Sequence, residues 1–157
     1  VKPGDKTSEI KKLLARRHSD KREWVYIHEL PDGTGSECRG WIDGFAINCW
    51  HCNSLRRIAY EIKISRSDFL SELKFSEKRR SALLFSNEYY FVTPKDLVIK
   101  SELPLECGLI EWDGAQHLKT IVKAPRRAAH PPSWTLLAGA LRTYGHQRWQ
   151  EDRENKE

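Results

Sequence analysis

At 157 residues, with 27 Lys and Arg against 22 Asp and Glu and a formal charge of +5, the chain holds one domain's worth of sequence with a basic balance. No run approaches the ~18 apolar residues of a membrane span, "VKPGDKTSEIKK" has no signal-peptide hydrophobic region, and four cysteines beside an adequate core do not make a secreted disulfide scaffold. The expectation is a soluble, cytoplasmic protein with reduced thiols and no membrane partner. Basic residues cluster at Arg16-Arg17, Lys21-Arg22, Arg56-Arg57, Lys78 to Arg80 and Arg126-Arg127, which suits a polyanion and equally a well-solvated surface.

Taken in chain order, Ile10, Leu13 and Leu14 at helical spacing, with Thr7 or Ser8 as cap, predict a helix over Ser8 to Arg17. "EWVYIHEL" alternates as a strand and stops at the Pro- and Gly-containing "PDGTGSECRG"; "GWIDGFAIN" and "RRIAYEIKIS" are two further strands about the turn-like "CWHCNSL". Ser65, Ser67 or Asp68 caps a helix running on through "DFLSELKFSEKRRSALL". "EYYFVTP" and "GLIEWD" read as strands, and "HLKTIVKA" as a last edge strand. Residues 125–133 contain three prolines and read as a linker between a domain over 1–124 and a C-terminal helix over 134–149, followed by a polar tail over 150–157. That helix either packs on the sheet or faces a partner. The order predicts an α/β fold, a mixed central sheet flanked by helices.

Charges inside the third strand carry the functional argument. Glu61 and Lys63 share one strand face, and Tyr60, Ile62 and Ile64 the other. An antiparallel hairpin about Cys52 that pairs Ile42 with Ile62, Gly44 with Tyr60 and Ala46 with Ile58 places Asp43 opposite Glu61 and Trp41 opposite Lys63. Directly opposed carboxylates repel unless a cation sits between them, and Mg²⁺ prefers one or two carboxylates with waters and a substrate phosphate. The set predicts metal-assisted phosphodiester hydrolysis, with Lys63 orienting the attacking water or stabilising phosphoryl charge. The plain alternative is a Glu-Lys ion pair on a solvent-facing strand.

"WIDG", then "YEIK", then "SRSDF" and a helix resemble the PD-(D/E)XK nuclease superfamily, and "YEIKISRSDFLSELK", "YYFVTP" and "GLIEWD" are most similar to its MmcB-like DNA-repair members. The resemblance implies a restriction-endonuclease-like αβββαβ core to which the C-terminal helix is an addition. It also implies Asp43 and Glu61 as ligands of Mg²⁺ or Mn²⁺, the carbonyl of Ile62 completing the shell, and Lys63 as the catalytic lysine. Glu9 matches the glutamate that many members carry on the first helix, although a helix N-terminus favours a glutamate anyway; Glu29 is the reserve. Ile42 stands where the motif's name has proline.

Lys74, Lys78, Arg79 and Arg80 on the following helix, with Arg56 and Arg57, are the candidate nucleic-acid contacts, a solvated face being the alternative. Cys49 and Cys52 form half of a zinc site, a weaker reading than ordinary thiols. Trp41, Trp50 and Trp112 read as packing residues; Trp134 and Trp149 either stack on bases or, the favoured reading, pack on the domain. DNA is the expected partner, a homodimer or protein partner fits a one-site nuclease, and an RNA-directed enzyme or a non-catalytic binding module are the rivals.

Overall fold

The computed structural model describes residues 3–156, with the side chains of residues 3–5 and of Lys78 outside that description. Helix α1 (Pro3–Arg17) precedes three strands, β1 (Trp24–Pro31), β2 (Trp41–Asn48) and β3 (Arg57–Ile62). Helices α2 (Arg66–Lys74) and α3 (Arg80–Phe85) lead to β4 (Glu88–Pro94), β5 (Gly108–Trp112) and β6 (Leu118–Val122), and α4 (Trp134–Glu154) closes the chain. The six strands form one mixed sheet in sequence order. β3, β4 and β5 run parallel, and each outer neighbour is antiparallel. A parallel pair needs a crossover, which α2 and α3 provide between β3 and β4. Six of the seven β4 residues are buried, as a central strand covered on both faces requires.

Two apolar layers hold the sheet. On one side Ile10, Leu13 and Leu14 of α1 pack against Ala46, Ile58, Tyr60, Ile62, Val92 and Ile110. On the other, Phe69 of α2, Ala82 of α3 and Leu136 of α4 meet Phe45, Ala59, Phe91 and Leu109. Helix α1 starts five residues before the expected Ser8, and its buried triad is the expected one.

The hairpin register is as the pattern required, with Gly44 opposite Tyr60 and Ala46 opposite Ile58. Ile42 departs from it, joining Phe45 and Leu30 rather than Ile62. The cause lies across the β1–β2 pair, where Glu29 adopts a left-handed φ of 51° opposite Asp43 and breaks the alternation, so that Ile27 and Leu30 reach the same core.

The single helix expected after β3 is broken. Phe75 (φ −113°, ψ 60°) ends α2, a short 3-10 turn (Ser76–Arg79) follows, and α3 begins at Arg80. Arg79 donates from its guanidinium to the Glu72 carbonyl at 2.7 Å, satisfying an acceptor that a continuing helix would have satisfied.

Helix α4 runs five residues beyond the expected Trp149, to Glu154, and Glu151 pairs with Lys21 at 2.9 Å. It lies against β1, with Gly139 beside Pro31 and Gly33. Residues 125–133 form neither helix nor strand but are tied to the body: Arg127 N–H donates to Asn87 O at 2.8 Å and His130 N–H to Leu84 O at 2.9 Å. No helix among the described residues is long and apolar enough to cross a membrane. Trp112 is buried as expected; Trp41, Trp50, Trp134 and Trp149 are exposed, contrary to the packing assigned to them, because each lies at an element's end or on a helix face turned from the sheet.

Candidate active site

β2 and β3 stop pairing after Gly44 and Tyr60, and the strands separate where Asp43 and Glu61 follow. Asp43 Oδ2 then accepts the Ile62 N–H at 2.8 Å, a carboxylate standing where a strand carbonyl would. Glu61, at the carboxyl end of a parallel strand, accepts from Lys63 Nζ at 2.7 Å. Such strand ends are where open α/β sheets place their ligands.

Lys63 also pairs with Glu72 Oε2 at 3.2 Å, and Glu72 Oε1 lies 3.8 Å from Arg79. Both Glu72 and Arg79 are buried, Arg79 standing over the Phe91 ring. A buried ion pair holds only if its partners are fixed, so Glu72 anchors Lys63 to the helical layer. Glu72 was missed by the sequence reading, though it left a signal. It falls three residues after Phe69, on the face of α2 that the core requires.

The carboxylates feel their confinement. Burial and the neighbouring Asp43 push the Glu61 carboxyl up to about 7, against the pull of Lys63. Burial likewise raises Asp43, opposed by the Ile62 N–H and the charges of Lys63 and Lys11. Burial alone would lower Lys63, but Glu61 and Glu72 together hold its ammonium above the ordinary lysine range. Two phenols close to these carboxylates, the half-buried Tyr26 and the buried Tyr89, have buried hydroxyls that make no hydrogen bond among the described residues.

A cleft of about 650 Å³ opens over Glu61, Lys63 and Glu72, within the size range of ligand sites. Its other lining comes from the β1–β2 connection (Asp32, Arg39, Gly40), Trp41, Glu77, Arg80 and Ser81. Asp32 holds that connection in place: Oδ1 accepts from the N–H groups of Arg39 and Gly40 at 2.8 and 3.0 Å, and Oδ2 from Ser81 Oγ at 3.1 Å.

No cluster of three or more His, Cys, Asp or Glu that would hold a metal occurs among the described residues. Asp43 and Glu61 therefore fit a divalent ion only as the two-carboxylate kind of site, in which water and substrate supply the remaining ligands. The raised Glu61 carboxyl, with the Asp43 charge beside it, and the orphaned phenol hydroxyls of Tyr26 and Tyr89 are what such an ion and its waters would relieve.

Other candidates lie elsewhere. Glu9 pairs with Lys12 at 2.9 Å on α1, whereas the reserve Glu29, bonded to Lys11, is felt by Asp43. Lys74 and Arg80 are exposed, but the break at Phe75 removes the shared helical face expected for Lys74 and Lys78; the Lys78 side chain is outside the described residues. Arg79 is no surface contact: it is 4 % exposed, engaged with Glu72. Arg56 makes a two-pronged pair with Glu88 at 2.6 Å and Arg57 bonds Asn87, at the far end of β3, roughly 13 Å along the strand from Glu61. Cys49 and Cys52 are free and exposed on the β2–β3 turn, with no third ligand grouped with them among the described residues.

No protein-family model matches the chain, and no curated protein does. One solved structure is similar. The SPO1766 protein of unknown function from Silicibacter pomeroyi superposes with a TM-score of 0.62, over 100% of this chain and 93% of its own, at 18% identity. That likeness is one of fold.

Proposed function

We propose that the chain is a metal-dependent deoxyribonuclease of the PD-(D/E)XK kind, selective for the form or strandedness of its DNA. The observation that carries the reading is Glu61 in the wall of a cleft, with Lys63 bonded to it and Asp43 held on the Ile62 N–H next to it, near enough to act on the Glu61 carboxyl. The order helix, three strands, helical crossover, strand is compatible with the nuclease core that the sequence resemblance implies.

Bound Mg²⁺ or Mn²⁺ would activate a water and neutralise charge on the phosphate. Asp43 and Glu61 would hold the ion, together with the Ile62 carbonyl. Lys63, fixed on its far side by Glu72, presents an ammonium to the negative charge that builds on the phosphoryl oxygens. Electrostatics supports the same assignment. The cleft is lined by four carboxylates (Asp32, Glu61, Glu72, Glu77) against three cations (Arg39, Lys63, Arg80), an acid excess that a bound divalent ion would reverse.

The test is cleavage of labelled single-stranded, duplex and branched DNA with Mg²⁺, Mn²⁺ or EDTA, wild type beside Asp43→Asn. Cutting that needs the metal and is lost in the variant is the expected result. Binding without cutting under every condition would replace the enzyme by a non-catalytic binding module, and cutting of RNA alone would replace its substrate.

A further inference from the structure

Four tryptophans are exposed, and Trp41 is the one that lines the cleft over Glu61 and Lys63. It begins β2, is 64% exposed, and its indole has no ring or hydrogen-bond partner among the described residues. Large aromatics normally bury most of their area, so an unpartnered indole beside reactive groups is a surface kept open for a ligand. The segment carrying it is not loose. Asp32 bonds the N–H groups of Arg39 and Gly40 and ties them to Ser81 of α3, while Gly139 of α4 closes on Pro31 and Gly33 behind. A rigid platform loses little entropy on binding.

Two cations accompany it. Arg39 is exposed and makes no ion pair among the described residues; Arg80, on the helical wall, has only an exposed contact with Glu77 at 3.7 Å. A planar apolar face flanked by two guanidiniums, next to carboxylates suited to a phosphate-bound cation, matches a nucleotide whose base is free to leave its stack. Bases within a duplex already have both faces covered.

We propose that Trp41 is a stacking platform for an unpaired nucleobase next to the phosphate over Glu61 and Lys63, with Arg39 and Arg80 on the flanking phosphates. The ligand class is then single-stranded DNA, including gaps and flaps. This rests on the nuclease reading for the phosphate's position, but binding can be measured without chemistry.

The experiment is fluorescence anisotropy with a labelled 20-residue oligo(dT) and a blunt duplex of the same length, in EDTA, for wild type, Trp41→Ala and Trp41→Phe, all checked for fold by circular dichroism. Loss of a base stack should raise the Kd of Trp41→Ala for oligo(dT) roughly tenfold or more, with Trp41→Phe within about threefold of wild type and the duplex little affected. A single abasic residue walked along the oligonucleotide should weaken wild type at one position and leave Trp41→Ala indifferent there. The proposal is overturned if wild type does not bind oligo(dT), if Trp41→Ala binds it as wild type does, if Trp41→Phe falls as far as alanine, or if the duplex suffers equally. Absent cleavage with these binding results intact would sink the nuclease and leave the stacking platform standing.

Discussion

Replacing Glu61 by glutamine should make the protein more stable at alkaline pH while removing its activity. With its carboxyl pushed up to about 7 from an ordinary 4.5, the folded protein binds a proton in that window which the unfolded chain has released. Stability therefore falls as pH rises from 4.5 to 7, the opposite of the usual carboxylate behaviour. A displacement of that size is worth about 3 kcal/mol at pH 8 and under about 1 kcal/mol at pH 5. Glutamine resembles the protonated acid and escapes the penalty, though it gives up the charge-assisted bond to Lys63 at 2.7 Å. Urea unfolding of wild type and Glu61→Gln in EDTA at both pH values measures this directly. The variant should lead by about 2–3 kcal/mol at pH 8, with the gap closing at pH 5. Added Mg²⁺ at about 10 mM should recover part of the deficit in wild type and little in the variant, since a ligand that binds only the folded state stabilises it by mass action. A gap of equal size at both pH values would refute the confinement argument, and with it the main physical support for a cation between Asp43 and Glu61.

Glu72→Ala leaves Arg79 buried and Lys63 without its second anchor, so it should cost about 3–5 kcal/mol in thermal or urea unfolding and depress kcat more than it raises KM. Arg56→Ala should destabilise by a similar ~3 kcal/mol, because Glu88 is buried and loses its two-pronged partner, yet leave DNA affinity near wild type; a large loss of binding in a folded variant would return Arg56 to the nucleic-acid surface. Gly108→Ala would set a Cβ 2.4 Å from the Tyr90 ring and 2.6 Å from the Ala124 nitrogen, so it should cost about 1–3 kcal/mol by overpacking, measurable as a lower Tm.

The strands and the β2–β3 register were legible in the sequence because Ala46, Ile58 and Tyr60 are apolar at two-residue spacing on facing strands, and only one register buries them together. The side taken by Ile42 was not, because the left-handed turn at Glu29 falls on a residue with no glycine-like signature. The break after Lys74 was hidden for a related reason. It contains neither Gly nor Pro, and the guanidinium that takes over the Glu72 carbonyl comes from Arg79, seven residues on, in no pattern that marks a helix end. Asp43, Glu61 and Lys63 were readable as neighbours from pairing alone. Glu72 needed only the helical period, but Trp41's exposure depended on where the ladder ends, which no local pattern records.

The two ends of β3 treat charge differently, and the contrast bears on what the site is for. At the amino end, the Glu88 carboxylate receives both prongs of Arg56 and the Tyr90 hydroxyl at 3.1 Å, and Asn87 receives Arg57. That carboxylate's bonding is met from within, as folding alone would require. At the carboxyl end, burial raises both Asp43 and Glu61 and the Asp43 charge raises Glu61 further, two phenol hydroxyls near them go without partners among the described residues, and the acids outnumber the bases across the cleft. A sheet selected only to fold would gain by replacing either acid with an amide. Keeping both at a cost in stability is the expected mark of groups whose proper partner arrives from solution.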